Sequence, residues 1–402
     1  MPHLYLARQP IYDQKLDVYA YELLYRAADE DSAPEGIGDQ ATYAVLMNAL
    51  TEIGLDELIG SSYAFVNLTR GFIVGENPLP FSGDRIVLEV LEDIAADDEV
   101  VAGIRDLIEQ GYMIALDDFV YDDSLVEMIK MCDLIKIDVL AMERDVIREH
   151  VDILSKFNVK LLAEKVENQE MFEFCKSLGF DYFQGYFFCK PKVLKRQKMP
   201  ANQLAVMQLL AKLQDPDITI EQLGDLISHD VSISYRLLRY VNSAIFSLPK
   251  KVESIHHAVI VLGLKAVKQL TMVMSLSNVD DKPHELLVTA LLRAKMCELL
   301  AEVQGNRNKD SFFIVGLFSV LDALLDMPMD ELLASLSMAD EINSALLSRE
   351  GAAGKVLEGV IAYEHGQWDH PAIEAFDSEQ LSNAYFEAVS WSDSVAAEAT
   401  AN

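Results

Sequence analysis

Short apolar runs recur through the first half of the chain, and each carries an acid, an amide or an amine at or near its end. In order they read VYAYELLYR with Glu22, YAFVNL with Asn67, IVLEVLED with Glu89 and Glu92, and YMIALDDF with Asp117 and Asp118. LIKID with Lys136 and Asp138, VKLLAEKVE with Glu164 and Glu167, and YFQGYFF with Gln184 complete the series. Runs of this length, separated by helix-like stretches, predict buried parallel strands joined by crossover helices. In a barrel of such strands every strand C-terminus opens on one face, where reacting groups gather. The pattern predicts an α/β, TIM-type (β/α) barrel with a carboxylate-rich mouth.

The pattern changes near residue 195. From Ala201 onward apolar residues recur at helical spacing in ANQLAVMQLLAKLQ, ITIEQLGDLISHD, SISYRLLRYVNSAIF, HHAVIVLGLKAVKQLTMVMSL and LLVTALLRAKMCELLAEVQG, which predicts an all-α second half. Asp217 and Thr219 are candidate caps for the second of these helices. Gly263 falls inside the fourth, where close packing would be the reason to keep it. The tail from about Ser378, ending in SVAAEATAN, is expected to fray. Between the halves lies KPKVLKRQKMP, Lys190 to Pro200, a basic stretch in an acidic chain. A solvated linker is its plainer reading, and a phosphate-contact patch is the rival.

Composition narrows the function. The 402 residues are enough for two domains, and 51% apolar content is enough to build their cores. A net charge of -32 argues against general DNA or RNA binding, which needs Lys and Arg to neutralise phosphate. An acidic protein with an anionic substrate would need metal ions to bridge the repulsion. Cys132, Cys175, Cys189 and Cys297 have no CxxC or zinc spacing and are expected to be free thiols in a reducing compartment. Arg8, Asp13 and Lys15 come too early for a signal peptide. Lys265 and Lys268 interrupt the apolar stretch from Ala258 to Ser277, so no membrane span is expected there. The expected location is cytoplasmic.

A charged rim is usually only solvated. Here the acids directly follow apolar residues, and Asn67 and Lys136 occupy equivalent strand ends, adding a neutral ligand and a cation. Hard oxygen donors without His or Cys suit Mg²⁺ or Mn²⁺ rather than zinc. Adjacent Asp117 and Asp118 could serve two such ions, as in paired-metal phosphoryl transfer. Lys136 would orient a water or neutralise developing charge, and Glu164 is a candidate general base. The chemistry this points to is metal-assisted phosphodiester hydrolysis.

These residues also carry a family likeness. Residues 1–195 resemble the EAL domain, the cyclic-di-GMP (c-di-GMP) phosphodiesterase of bacterial signalling. Gln9 matches its Gln-Pro-Ile element, Glu22-Leu23-Leu24 stands for Glu-Ala-Leu, and Arg26 falls on a phosphate-contact position. Asn67, Glu89, Glu92, Asp117-Asp118-Phe119, Lys136, Glu164, Glu167 and Gln184 all fall on motif positions. The resemblance implies that Glu22, Asn67, Glu89 and Asp117 hold one Mg²⁺ or Mn²⁺, and Asp117 with Asp118 a second. It gives the water to Lys136 and Glu164, with Glu167 supporting the assembly, and c-di-GMP contacts to Gln9, Arg26 and Gln184. The product would be pGpG, and lowered c-di-GMP would favour motility over biofilm. There are departures. Val120-Tyr121-Asp122-Asp123-Ser124 replaces the usual glycine-containing loop, although its anchor Glu92 is kept. Lys165 stands where glycine is usual, so a different backbone is expected there.

Residues 196–395 resemble the HDOD domain, an all-helical relative of HD phosphohydrolases, most clearly from Leu226 to Leu270. Gly316-Leu317-Phe318-Ser319-Val320 replaces the Gly-Leu-Leu-His-Asp of a working HD enzyme, so the metal-binding pair is absent. His229-Asp230 is expected on one helix, where adjacent residues diverge and make a poor metal site. His256-His257 reads as a helix start. The resemblance implies an interaction or regulatory module for an unidentified protein partner, and a possible homodimer through the barrel. The alternatives to hydrolysis are a non-catalytic c-di-GMP receptor or scaffold, and a barrel enzyme for another phosphodiester.

Overall fold

A computed structural model describes residues 4–27, 54–79, 83–190, 201–215, 217–243, 251–277, 279, 282–336 and 338–400. They group into two compact units, Met1–Phe188 with Ala362–Ser382, and Cys189–Ile361 with Asn383–Asn402. Of the basic stretch Lys190–Pro200, all but Lys190 lies outside the described residues.

In the first unit, strands β1 (Leu4–Asp13), β2 (Val18–Ala27), β3 (Tyr63–Leu68), β4 (Ile86–Val90), β5 (Met113–Leu116), β6 (Leu134–Asp138), β7 (Lys160–Glu164) and β8 (Tyr182–Gln184) close into a barrel in chain order. From β2 to β8 neighbouring strands are parallel. β1, which is not among the seven apolar runs, is antiparallel to both β2 and β8. The turn between β1 and β2 explains this. Asp13 Oδ1 accepts from the N–H groups of Lys15 and Asp17, closing a loop far too short for a crossover helix.

Ile11, Ala20, Phe65, Val87, Ala115, Leu134 and Leu162 form a fully buried layer across the barrel interior. Several connecting helices are only a turn long, such as Arg70–Ile73 and Val126–Ile129, which is how the barrel fits in so few residues. β1 and β2 outrun it. They pair with each other from Leu4 opposite Ala27, whereas β3 pairs only with Ala20–Leu23 and β8 only with Ile11–Asp13. Leu4–Ala7 and Leu24–Ala27 therefore continue as a two-stranded ribbon.

The second unit is helical. Helices Ala201–Leu213, Ile220–Ser228, Val231–Val241 and His284–Val303 fall where apolar spacing predicted them. Thr219, not Asp217, caps Ile220–Ser228 through a reciprocal capping box with Gln222. Gly263 does not sit inside a helix. With φ 87 it ends Ile255–Leu262 and precedes Leu264–Leu276, a backbone that L residues rarely adopt. Among the described residues no helix is long and apolar enough to cross a membrane. His229 and Asp230 lie at a helix junction rather than within one helix. His229 Nδ1 lies against the Asp225 carbonyl, and Asp230 caps Val231–Val241. His256-His257 opens a helix capped by Ser254, as expected. Val320, at the Asp position of the HD metal pair, is completely buried, as are Leu317 and Phe318 just before that pair. The tail is not frayed: Ser378–Thr400 is a helix that buries Tyr385, Val395 and Ala399.

Candidate active site

The period of a strand lifts the site residues out of the apolar layer. Asn67 follows Phe65, Glu89 follows Val87, Asp117 follows Ala115, Lys136 follows Leu134 and Glu164 follows Leu162, each two positions on and so on the same face. Glu22 stands in the same relation to Ala20. Gln9 stands so to Ile11 on the reversed strand.

The centre is Lys136, whose side chain is completely buried. Its Nζ lies 2.8 Å from Asp117 Oδ1, 2.9 Å from Glu164 Oε1 and 3.5 Å from Glu22 Oε2, and pairs directly with Glu89 Oε1. Gln184 Nε2 donates to Glu22 Oε2 at 2.6 Å and to Gln9 Oε1 at 3.2 Å. Gln9 Nε2 donates in turn to the Tyr186 hydroxyl at 3.1 Å. Asn67 Oδ1, Glu89 Oε2, Glu164 Oε2 and Gln184 Oε1 are buried and accept no hydrogen bond. Such orphaned acceptors are costly unless a ligand meets them.

Electrostatics follow from this packing. Burial, reinforced by Glu22, pushes the Glu89 carboxyl well above the usual carboxylate range. Burial likewise pushes Glu164 up to about 8. Burial opposes charge on Lys136, yet Glu164, Glu22, Glu89 and Asp117 together hold its ammonium above the usual lysine range. One ammonium does not neutralise three buried carboxylates and the half-buried Asp117, so the remainder must be met by protons or by cations. All-oxygen donors with an unbonded amide oxygen fit a hard divalent cation. Among the described residues no three His, Cys, Asp or Glu side chains stand ready-arranged around a metal position; the carboxylates turn to Lys136 Nζ instead.

Asp118 stands at the edge of this cluster, with φ 39 and its N–H donating to Asp117 Oδ1 at 3.0 Å. Lys165 Nζ lies 3.3 Å from Asp118 Oδ1 and 2.6 Å from Asp138 Oδ2. Lys165 has φ 55, so the left-handed backbone that glycine takes freely is present with a lysine on it. Glu92 and Glu167 lie outside the central cluster and are exposed. Arg26 Nη1 lies 2.6 Å from Asp369 Oδ1.

The EAL domain model matches residues 73–191, and the HDOD domain model matches residues 199–354. Uncharacterized protein YuxH of Bacillus subtilis (strain 168) is 33% identical over 402 residues, covering 96% of this chain and 98% of the relative. Cyclic di-GMP phosphodiesterase CdgJ of Vibrio cholerae is 32% identical over 400 residues, covering 97% of this chain and 93% of the relative. The chain belongs to the EAL–HDOD family. One solved structure, the Bacillus subtilis YkuI protein with an EAL domain in complex with c-di-GMP and calcium, is 18% identical. It covers 56% of this chain and 72% of that one, with a TM-score of 0.40.

In this EAL–HDOD chain the EAL match begins at residue 73, beyond Gln9, Glu22, Arg26 and Asn67. Barrel closure brings Gln9 and Glu22 beside the later strands' residues. Sequence reasoning missed Tyr186, which links Gln9 to the Glu364 carbonyl, and missed Asp369. The only signal for Tyr186 was its place in YFQGYFF. No local pattern marked Asp369.

Proposed function

We propose that this protein is a c-di-GMP phosphodiesterase that linearises its substrate to pGpG, with the HDOD region, residues 196–395, as a regulatory or interaction module for the EAL region, residues 1–195. The observation that carries the reading is the convergence of Glu22, Glu89, Asp117 and Glu164 on one buried lysine, beside the orphaned oxygen of Asn67. The name of CdgJ supports the substrate. Glu22, Asn67, Glu89 and Asp117 would hold one Mg²⁺ or Mn²⁺, and Asp117 with Asp118 a second. Such ions supply charge neutralisation and water activation in phosphodiester hydrolysis. Burial raises Glu164 in the metal-free site; divalent cations bound beside it would favour its ionised form, in which it could take a proton from water. Lys136 holds positive charge beside it without a proton to spare, and so orients rather than donates. Gln9, Arg26 and Gln184 would bind the dinucleotide, and Glu167 would support the assembly from the rim.

A second reading, a non-catalytic c-di-GMP receptor or scaffold, is favoured by the glycine-free segment Val120–Ser124 and by Lys165 beside Asp118. Hydrolysis of c-di-GMP by purified protein with Mg²⁺ or Mn²⁺, beside Glu22→Ala, separates the two. Metal-dependent pGpG formation that disappears in the variant supports the enzyme. Binding without turnover supports the receptor, and the absence of both turnover and binding would leave a scaffold.

A further inference from the structure

The barrel unit includes a segment, Ala362–Ser382, that lies after the HDOD match in the chain. It covers the ribbon formed where β1 and β2 outrun the barrel. The Tyr363 hydroxyl, on a completely buried side chain, accepts from the Leu6 N–H at 3.3 Å. Trp368 stacks on Tyr5 with ring centroids 5.3 Å apart and an interplanar angle of 11°. Gly366 comes so close to Leu24 that an added Cβ would lie 2.9 Å from its Cδ1. Glu22, Leu24 and Arg26 alternate along β2 and share one face. The segment thus covers the continuation of the surface that carries Glu22.

Two polar contacts tie it to residues of the mouth. The Tyr186 hydroxyl donates to the Glu364 carbonyl at 3.3 Å, ending a chain that runs from Glu22 through Gln184 and Gln9. Asp369 meets Arg26. A guanidinium offers the same planar fork to a carboxylate and to a phosphate. Arg26 is 25% exposed and Asp369 83%, so their pairing can be exchanged for another anion at little cost.

We propose that Asp369 is an internal counter-ion of Arg26 that a phosphodiester ligand must displace, so that the segment Ala362–Asp369 sets how tightly the mouth binds its ligand. The inference rests on the c-di-GMP reading given above. The segment acts as a tunable brake: whatever draws it from the ribbon parts Asp369 from Arg26.

The test is equilibrium titration of c-di-GMP into the full-length protein, Asp369→Asn, Asp369→Ala, Arg26→Ala and the double variant Asp369→Asn/Arg26→Ala. Removing the Asp369 charge should tighten binding about two- to five-fold, the range an exposed ion pair spans. In the Arg26→Ala background the same change should have no effect. Hydrogen exchange across residues 363–373 should quicken when c-di-GMP is added. Unchanged or weaker binding in both Asp369 variants overturns the counter-ion role, as does a gain that survives Arg26→Ala. No binding by any of the proteins overturns the c-di-GMP reading, and this inference with it.

Discussion

Lys136 neutralises its surroundings and is held charged by them, so its removal should be felt twice. Lys136→Met leaves buried Glu22, Glu89 and Glu164, and half-buried Asp117, without their shared cation. Breaking such a cluster from one side costs about 3–5 kcal/mol. Urea unfolding in EDTA should show that loss, and hydrolysis should fall to background. Glu164 makes a pH-dependent prediction. Folded, it keeps its proton to about pH 8; unfolded, it releases it near 4.3, the usual glutamate value. The native state binds the extra proton between those limits, so the contribution of Glu164 is complete below about pH 4.3 and is lost as pH rises toward 8. In metal-free protein, Glu164→Gln should gain melting temperature relative to the parent between pH 5 and 8. A constant difference across that range would refute the assignment. These residues were legible because a strand repeats every second position, placing Glu89 over Val87 and Lys136 over Leu134 in any register that buries the apolar partner. Asp369 was not legible, because its contact with Arg26 spans 343 positions and no local pattern encodes it.

Among elements, the end of β8 is held by a backbone that admits no side chain. Gly185 has φ 145, and an added Cβ would lie 2.2 Å from the Val166 carbonyl oxygen. That carbonyl accepts from the Phe187 N–H, while the Gln184 carbonyl accepts from the Val166 N–H. Gly185→Ala should therefore part the segment after β7 from the end of β8 and draw Gln184 off Glu22. The expected result is loss of c-di-GMP binding together with lower stability, read by titration and urea unfolding. In the helical unit, Thr219→Ala removes a reciprocal cap and should cost about 1 kcal/mol. Strands β2 to β8 and several helices of the second unit were readable from periodicity, yet the break at Gly263 was not. Apolar spacing continues across it on both sides, so a glycine that packs and a glycine that turns look alike in sequence. The antiparallel β1 was hidden for a related reason: direction is set by the length of the connection, not by the strand itself.

Taken whole, the chain leaves the barrel unit after Phe188, returns to it from Ala362 to Ser382, and leaves again. Tyr363 is the buried anchor of that return. Tyr363→Ala should cost on the order of 3–5 kcal/mol, typical of a large aromatic lost from a core. Its effect should register far away in sequence: limited proteolysis should accelerate within residues 4–27, where β1 and β2 lie. Cleavage confined to the neighbourhood of residue 363 would contradict the packing. The change in pattern near residue 195 announced a second kind of structure, but nothing in composition foretold that a later stretch belongs with the first.

The returning segment also has a consequence in time. A ribosome adding about 5–20 residues per second needs roughly 10–40 s to pass from Phe188 to Ser382. For that interval the nascent barrel has every strand it needs but lacks its cover, and Tyr5, Leu6 and Leu24 wait without Trp368, Tyr363 and Gly366. A truncated transcript that stops before Ala362 would strand the molecule there, with its ribbon bare and Arg26 parted from Asp369.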